Sequence, residues 1–295
     1  MNVLPFDKQV AIIAALTEGC SIRATERLTD THRDTIMRLG LRVGQACAQL
    51  HDRHMHSLHV NRIEIDEVWS YVGKRQRRRM PILGAEFGDQ YLFTALASSA
   101  KAILSYRIGK RDTGTTEAFL ADLRGRVLGA PEISSDAFTA YERLVPQVMG
   151  SRSAYGQVIK SYDMPVVKEA ARRYAPGSVV AVEYRAIIGE PQHISTSFVE
   201  RSNLTIRMAN RRFARLTNAF SKKIENHAAA VSLFVWHYNF CRVHETHRQT
   251  PAMALGIADH VWTIGELVQA ALAQEDRPEV GARYGRFTVI DGGRE

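Results

Sequence analysis

The spacing of apolar residues changes once along this 295-residue chain, near residue 61, and that change constrains the fold more than any other feature. Between residues 6 and 50 the apolar positions recur at helical intervals, as Val10, Ile13 and Leu16 do. From Arg62 to Val72 the residue types are those of a strand. The chain is therefore predicted to begin with an all-helical unit and to continue as an α/β domain.

The helical unit has the layout of a helix-turn-helix. Gly19 ends the first helix, a short second helix is predicted over residues 21–28, and a third begins at Thr31 with Asp34 in the capping-box position. The last helix of such a unit can enter a major groove of DNA, although many three-helix units bind no DNA. The residues of this helix predicted to contact DNA are Arg33, Arg38 and Arg42.

The remaining elements predict a ribonuclease-H-like mixed sheet flanked by helices, with the site at the strand ends. Three strands come first, and then helix, strand, helix, strand and terminal helices follow. The predicted strands cover residues 62–72, 91–97, 102–109, 131–136 and 179–188, and the predicted helices cover residues 113–127, 139–148, 197–216 and 222–241.

We divide the chain into a helix-turn-helix domain (1–58), a catalytic domain (59–265) and a C-terminal extension (266–295). The polar, histidine-rich stretch 51–59 is expected to be a solvated linker between the first two, because no cysteine or carboxylate stands at metal-ligand spacing from its histidines. The first helix of the catalytic domain, at residues 113–127, has Thr113 and Thr115 as its candidate caps.

Composition favours an anionic partner and an intracellular location. The formal net charge is +8 and the isoelectric point is about 9.5, which suits a polyanion without proving one. The three cysteines show neither zinc-finger nor disulfide spacing, so we expect buried, inert thiols. No segment has the roughly 18 apolar residues of a membrane span, and the N-terminus lacks a signal-peptide layout. We therefore expect a cytoplasmic protein.

Three acidic residues are the candidates for chemistry. Asp66 lies within an apolar strand, Asp136 ends a second apolar run, and Glu200 opens a basic helix. Carboxylates from separate elements can hold two divalent cations about 4 Å apart for phosphoryl transfer. A charge within an apolar strand is costly unless it is paired or metal-bound, although the adjacent Glu67 is a competitor for this role. Asp136 could instead cap the next helix, and Glu200 could complete a capping box with Ser197.

Basic residues around Glu200, and after the first predicted strand, would lie where a phosphate backbone reaches the metals. Binding through them is expected to be sensitive to salt. The alternatives are a solvated cationic helix and, for the cluster at residues 74–79, a plain exposed turn. The residues predicted to contact DNA here are Lys74, Arg75, Arg201, Asn203, Arg207, Arg211, Arg212, Arg215, Lys222 and Lys223.

Motifs spread over nearly the whole chain carry a resemblance to a known family. The most specific stretch covers residues 194–204 and continues through residues 211–223; others are residues 19–24 with 31–42, 65–74, 106–112, 134–136, 238–244, 250–253 and 259–262. With these stretches the chain resembles a bacterial insertion-sequence transposase of the insertion-sequence-one type, in the DDE superfamily. Two departures are Ala137, where the family usually has glycine, and Ser98-Ser99, where relatives often have an acid-containing turn.

The resemblance implies a helix-turn-helix that recognises terminal inverted repeats and a ribonuclease-H-like core that cuts DNA and joins 3′ hydroxyl ends to a target. It implies Mg²⁺ or Mn²⁺, as two ions, with Asp66, Asp136 and Glu200 as ligands by motif position. The partners would be double-stranded DNA of the element ends and the target, and a second copy of the chain, so that the protein would be associated with the bacterial nucleoid. A catalytically inactive DNA-binding repressor is the alternative, and a nuclease without joining activity is a third hypothesis.

Overall fold

The computed structural model describes residues 4–76, 84–163, 178–214 and 218–273. Arg215, residues 77–79 of the first basic cluster and residues 274–295 of the C-terminal extension lie outside the described residues. Within them, three helices come first: α1 (Phe6–Thr17), α2 (Ile22–Thr29) and α3 (Arg33–His54).

Eight strands and six more α-helices follow in the described part of the chain. The strands are β1 (Leu58–His59), β2 (Arg62–Val72), β3 (Gly88–Ala97), β4 (Ile103–Gly109), β5 (Val127–Leu128), β6 (Glu132–Asp136), β7 (Tyr155–Asp163) and β8 (Ser178–Ile188). The helices are α4 (Thr113–Arg126), α5 (Thr139–Met149), α6 (Ser197–Ala209), α7 (Ile224–Phe240), α8 (Pro251–Ala254) and α9 (Ile264–Leu272), and a 3-10 turn covers Arg211–Phe213.

Three helices lie where the helix-turn-helix was predicted, with different caps from those predicted, and the assignment as a helix-turn-helix stays a prediction. Ser21 caps α2 by accepting the N–H of Ala24 at 3.1 Å. The cap of α3 is His32, whose Nδ1 accepts the N–H of Asp34 at 3.3 Å, so the predicted capping box between Thr31 and Asp34 is wrong. The hydroxyl of Thr31 donates instead to a carbonyl of the preceding turn.

The expected solvated linker is wrong, because α3 continues to His54. His51 is fully buried, with its ring Nε2 3.2 Å from the carbonyl oxygen of Ile103, and the ring of His54 packs edge-on against Trp236. Gly44 lets α3 approach α7 closely, since a Cβ there would lie 2.2 Å from a backbone oxygen of α7. The third helix therefore belongs to the same core as α7, and the domain division at residue 58 stays a prediction.

Strand order confirms the ribonuclease-H-like prediction. The large sheet has the order β4-β3-β2-β6-β7-β8. β2, β3 and β4 are antiparallel neighbours, β6 is parallel to β2, and β7 is parallel to β6. β8 adds an antiparallel strand next to β7, and β1 and β5 form a separate parallel pair.

The predicted fifth strand is wrong in its position. β7 takes that place in the sheet, and the predicted segment, observed as β8, is the sixth strand. β7 was missed because only its first half is buried, and its second half is exposed with few apolar residues. Gly156 is required in β7, since a Cβ there would lie 2.5 Å from the side chain of Ile194.

Alternating residues of the strands face two helical layers. Ile65 and Phe93 belong to the core beneath α4 and α5. Val68 and Leu92 belong to a second core beneath α6 and α7. This period of two places even-numbered residues of β2, including Asp66, on the α6 side of the sheet. Among the described residues no helix combines the length and the apolar character that crossing a membrane requires.

The termini of two helices on the catalytic side also differ from expectation. Asp112 caps α4 by accepting the N–H of Thr115 at 2.8 Å, where the candidates were Thr113 and Thr115 themselves. The helix that was predicted over residues 197–216 ends at Ala209. Asparagine at position 210 leaves the helical region there and caps the 3-10 turn that follows.

Candidate active site

Asp66 and Asp136 lie side by side on the central strands. β2 and β6 are parallel and pair Ile65 with Ser135, so the next residue of each strand is an aspartate at the same edge of the sheet. One oxygen of Asp66 accepts the N–H of Glu67 at 2.8 Å. The sequence prediction that these two strands bring their acids together is therefore matched by the geometry.

A third carboxylate joins the two aspartates, and it is Glu67. Asp66, Glu67 and Asp136 each offer an oxygen that lies within 4.8 Å of the other two. Glu200 lies outside this group. Of the predicted set, Asp66 and Asp136 therefore have oxygens within 4.8 Å of each other, whereas Glu200 lies outside this group, on α6.

Glu200 stands in the first turn of α6, and 43% of its side chain is exposed. Its carboxylate pairs with Lys160 of β7 and accepts the hydroxyl of Thr196 at 2.6 Å. The capping-box alternative with Ser197 is wrong, because the N-cap is Thr196 and the N–H of Glu200 donates to the carbonyl of Thr196. Burial is the main cause of the raised pKa of both Asp66 and Asp136, and the charge of Glu200 adds to it.

Asp136 has a structural contact as well as its place in the cluster. One of its oxygens accepts the N–H of Phe138 at 3.0 Å, which holds the turn before α5, and the other lies 3.7 Å from Arg111. The neighbouring Ala137 carries no backbone strain: the described non-glycine residues with positive φ are Asp30, Ser57, Lys101 and Arg248. Alanine at this position is therefore compatible with an intact turn.

Sequence reasoning left out the basic and aromatic partners of Glu67. Arg111 donates to Glu67 at 2.7 Å, lies 3.7 Å from Asp136, and stacks over the ring of Phe138 at 4.1 Å. The hydroxyl of Tyr141 donates to the other oxygen of Glu67 at 3.3 Å. Because Glu67 faces α5, which carries Tyr141, while Asp66 faces α6, the cluster draws on both sides of the sheet.

Asn203 is placed differently from its prediction as a DNA contact. It is 3% exposed, and its Nδ2 donates to Asp66 at 2.6 Å. Its Oδ1 is buried and finds no partner in the described structure. A buried amide cannot reach a phosphate, so Asn203 serves here to hold the carboxylate of Asp66.

Burial and mutual repulsion raise the pKa values of the carboxylates in this cluster. Burial, followed by the charges of Glu67 and Asp136, raises the pKa of Asp66 to about 8. Burial and the charge of Asp136 also raise the pKa of Glu67, against the opposing effect of Arg111. Several carboxylates that resist ionisation at one sheet edge are typical of functional sites.

The residues present fit a divalent cation. Mg²⁺ and Mn²⁺ prefer oxygen ligands, and three carboxylate oxygens within 4.8 Å of one another can share such an ion. Arg111 and Lys160 neutralise part of the same negative charge and would have to yield to a bound ion. The fit involves Asp66, Glu67 and Asp136, and Glu200 would have to release Lys160 before it could join them as a ligand.

A cationic groove runs between the helix-turn-helix and the segment that follows α6. Its volume is about 1000 Å³. Gly19, with φ of +77°, brings the turn after α1 against the end of α6, because a Cβ there would lie 2.8 Å from the oxygen of Ala209. Asp34 is the one acidic lining residue in the described part of the chain, and the basic lining residues are Arg23, Arg33, Arg211, Arg212, Lys222 and Lys223.

The other predicted DNA contacts are spread over the surface, and their role remains a prediction. Exposed residues are Arg33, Arg38, Arg42, Lys74, Arg201, Arg211, Lys222 and Lys223, and Arg207 is half-buried. Arg75 lies over the rings of Trp69 and Tyr71, 5.6 Å from each. Arg212 donates to the hydroxyl of Ser221 at 2.9 Å, and burial lowers its pKa, so part of its role is structural.

The chain is similar in sequence to one curated insertion-element protein. No protein-family model matches the chain. The chain is 24% identical over 177 residues to the insertion element iso-IS1n protein InsB of Shigella dysenteriae, and the match covers 60% of this chain and 95% of that protein. The chain is therefore similar to an insertion-sequence-one protein over nearly all of that protein's length. The resemblance drawn from the sequence motifs is thereby confirmed.

Solved transposase structures align with the chain at low scores. The piggyBac transposase synaptic complex with hairpin DNA gives a TM-score of 0.40 at 10% identity and covers 93% of this chain and 73% of that one. The Mos1 strand transfer complex gives 0.22 at 13% identity and covers 81% and 78%. The ribonuclease-H-like fold is assigned from the strand order described above.

Proposed function

We propose that this protein is a DNA transposase, which cleaves DNA at the ends of an insertion element and transfers the 3′ hydroxyl ends into target DNA. The observation that carries the proposal is the meeting of Asp66 and Asp136 on adjacent parallel strands, beneath a helix that presents Glu200. The relationship to an insertion-sequence-one protein supports the same reaction.

Asp66, Asp136 and Glu200 would hold the divalent cations, Mg²⁺ or Mn²⁺, as a pair of ions. Bound there, the ions would supply activation of an attacking oxygen and stabilisation of a leaving oxygen in phosphoryl transfer. Asn203 orients the carboxylate of Asp66, and Arg111 orients that of Glu67. Glu67 is a further candidate ligand, since it is the third member of the carboxylate cluster.

DNA would approach along the cationic groove and the exposed face of α6. Groove residues Lys222 and Arg211 lie beyond the C-terminal end of α6, which is about 14 Å from Glu200 at 1.5 Å per residue over the nine residues to Ala209. Arg33 of α3 lines the same groove, so that one duplex could contact both the helix-turn-helix and the catalytic helix. Such contacts are mainly with phosphates and therefore depend on salt.

The biological setting follows from the same proposal. Two element ends must be held together, so we propose at least a dimer on DNA, in the bacterial cytoplasm and associated with the nucleoid. The helix-turn-helix domain (1–58) would read the inverted repeats, and the domain of residues 59–265 would perform the chemistry. The alternative of an inactive repressor gains no support from Ala137, because this departure from the family pattern carries no backbone strain.

The test is to separate DNA binding from chemistry with matched variants. Asp66→Ala, Asp136→Ala and Glu200→Ala should each abolish cleavage and strand transfer in Mg²⁺ while gel shifts on the element ends stay near wild type. Asp163→Ala, which removes an exposed acid at the end of β7, is the control and should keep both activities. Full strand transfer by the Asp136→Ala protein would remove that residue from the mechanism. DNA binding without cleavage by the wild type in Mg²⁺ would favour the repressor.

A further inference from the structure

Glu64 anchors the helix that carries Glu200. It lies two residues before Asp66 on the same face of β2, and it is 3% exposed. One of its oxygens accepts two backbone N–H groups of α6, from Phe198 at 2.8 Å and from Val199 at 2.9 Å. The other oxygen accepts the hydroxyl of Ser98 at 3.3 Å. A carboxylate of the sheet thus takes the place of a capping side chain.

The first turn of α6 depends on Glu64 because its own N-cap makes no such bond. Thr196 has no side-chain bond to the helix backbone, and its hydroxyl is used by the carboxylate of Glu200. The N–H of Ser197 donates to the hydroxyl of Ser195, and that of Glu200 donates to the carbonyl of Thr196. The two N–H groups in between are the free donors that every helix start leaves, and Glu64 satisfies both.

Burying a carboxylate here is costly, and the surroundings offset that cost. Burial raises the pKa of Glu64, while the two backbone bonds, the Ser98 hydroxyl and the charge of Lys101 act in the other direction. Lys101 also lies 2.9 Å from the ring centroid of Phe198, so the cation covers the same helix start. Ser98, which departs from the pattern of related sequences, is thus a part of this anchor.

We propose that Glu64 is a positioning residue for Glu200: its carboxylate fixes the first turn of α6 against β2 and so holds Glu200 beside Asp66. This inference rests on the proposed role of Glu200 as a cation ligand. The two hydrogen bonds from the adjacent amides of Phe198 and Val199 to Glu64 fix how far α6 lies from the sheet, and they also fix the rotation of α6 about its own axis. An ordinary N-cap within α6 would stabilise the helix without fixing either.

The first measurement is hydrogen exchange over the first turn of α6 in the full-length protein. Glu64→Met removes the acceptor and should speed exchange at this turn at least tenfold. Glu64→Gln keeps an oxygen that can accept both N–H groups and should restore protection. Glu132→Met is the matched control, because Glu132 also accepts two backbone N–H groups, from Gln192 and His193, but lies outside the helix. First-turn protection in Glu64→Met equal to wild type would overturn the proposal.

The second measurement is Mn²⁺ binding to the protein without DNA, in a double-mutant cycle. Glu64→Met should weaken Mn²⁺ binding about as much as Glu200→Gln does, and the double variant should bind no more weakly than Glu200→Gln alone. If the double variant loses Mn²⁺ affinity by the product of the two single losses, the positioning role of Glu64 is overturned, and the ligand role of Glu200 is not. Unchanged Mn²⁺ affinity in Glu200→Gln would overturn the ligand role and the inference together. Glu64→Asp keeps the charge with a shorter reach and replaces Glu64→Met if that variant does not fold.

Discussion

The ionisation of Asp66 should make the cation-free protein less stable as the pH rises. The folded-state pKa is about 8, against 3.8 for the free side chain, because of burial and the charges of Glu67 and Asp136. The native protein therefore binds this proton more tightly than the unfolded chain does. Stability is fully present below the unfolded pKa near 4 and is lost progressively until the pH passes the folded pKa near 8.

Asp66→Asn removes this titration and keeps the shape of the side chain. A shift of about four units, at about 1.4 kcal/mol per unit, sets an upper limit of roughly 6 kcal/mol for the loss between the two pH limits. The variant can also keep its contact with Asn203: the amide of Asn203 can flip, so that its unpartnered Oδ1 accepts the new NH₂ group. We expect Asp66→Asn to be at least about 2 kcal/mol more stable than wild type near pH 9, and the difference should shrink towards zero as the pH falls to about 4.

The assay is urea unfolding in EDTA at constant ionic strength across this pH range, followed by circular dichroism. Asp163→Asn, at an exposed aspartate, is the control and should follow the wild-type curve. Adding Mg²⁺ near pH 9 should raise the free energy of unfolding of the wild type, because the cation binds the ionised carboxylates. The increase should be smaller for Asp66→Asn. A wild-type stability that is flat or rises with pH in EDTA would refute the reasoning, as would parallel curves for wild type and Asp66→Asn.

Two further predictions concern helix packing and DNA binding. Gly44→Ala should lower the free energy of unfolding by at least about 2 kcal/mol, because its Cβ would lie 2.2 Å from the backbone oxygen of Ala229, whereas Gly125→Ala, with nothing within 4 Å, should be neutral or slightly stabilising in the same urea assay. Lys222→Ala should reduce the slope of log affinity against log salt by about 0.9 in gel shifts, while Arg143→Ala on the exposed surface of α5 should leave it unchanged. Equal effects of Gly44→Ala and Gly125→Ala, or equal salt slopes for wild type and Lys222→Ala, would contradict these two predictions.

The sheet and its two aspartates could be predicted because their signals are local. The bounds of β2 agree with the prediction, since its long β-branched and aromatic run has no competing helical period. Once the strand order is ribonuclease-H-like, β2 and β6 have to be parallel neighbours, and Asp66 and Asp136 then meet at one edge. The packing of α3 against α7 could not be predicted, because His51 and His54 look like solvated residues until Ile103 and Trp236 are known to surround them.

The contacts of the site were less predictable than its strands, because they join residues far apart in sequence. Arg111 reaches Glu67 across 44 positions, and Glu64 reaches the first turn of α6 across 134. One signal was available: Glu64 shares the face of Asp66 by the strand period, so a second acid on that face had to meet either a cation or a helix start. Only the position of α6 over the sheet shows that Glu64 meets a helix start and not a cation.

Helix α6 is held at both ends, and this links the central sheet to the first helices of the chain. At its start, Glu64 of β2 fixes the first turn. At its end, the oxygen of Ala209 lies against the backbone of Gly19, in the turn between α1 and α2, at a distance that leaves no room for a side chain. Protein interiors are packed densely, so the helix-turn-helix cannot approach α6 more closely without displacing it. The position of Glu200 is therefore set by the central strand on one side and bounded by the helix-turn-helix on the other.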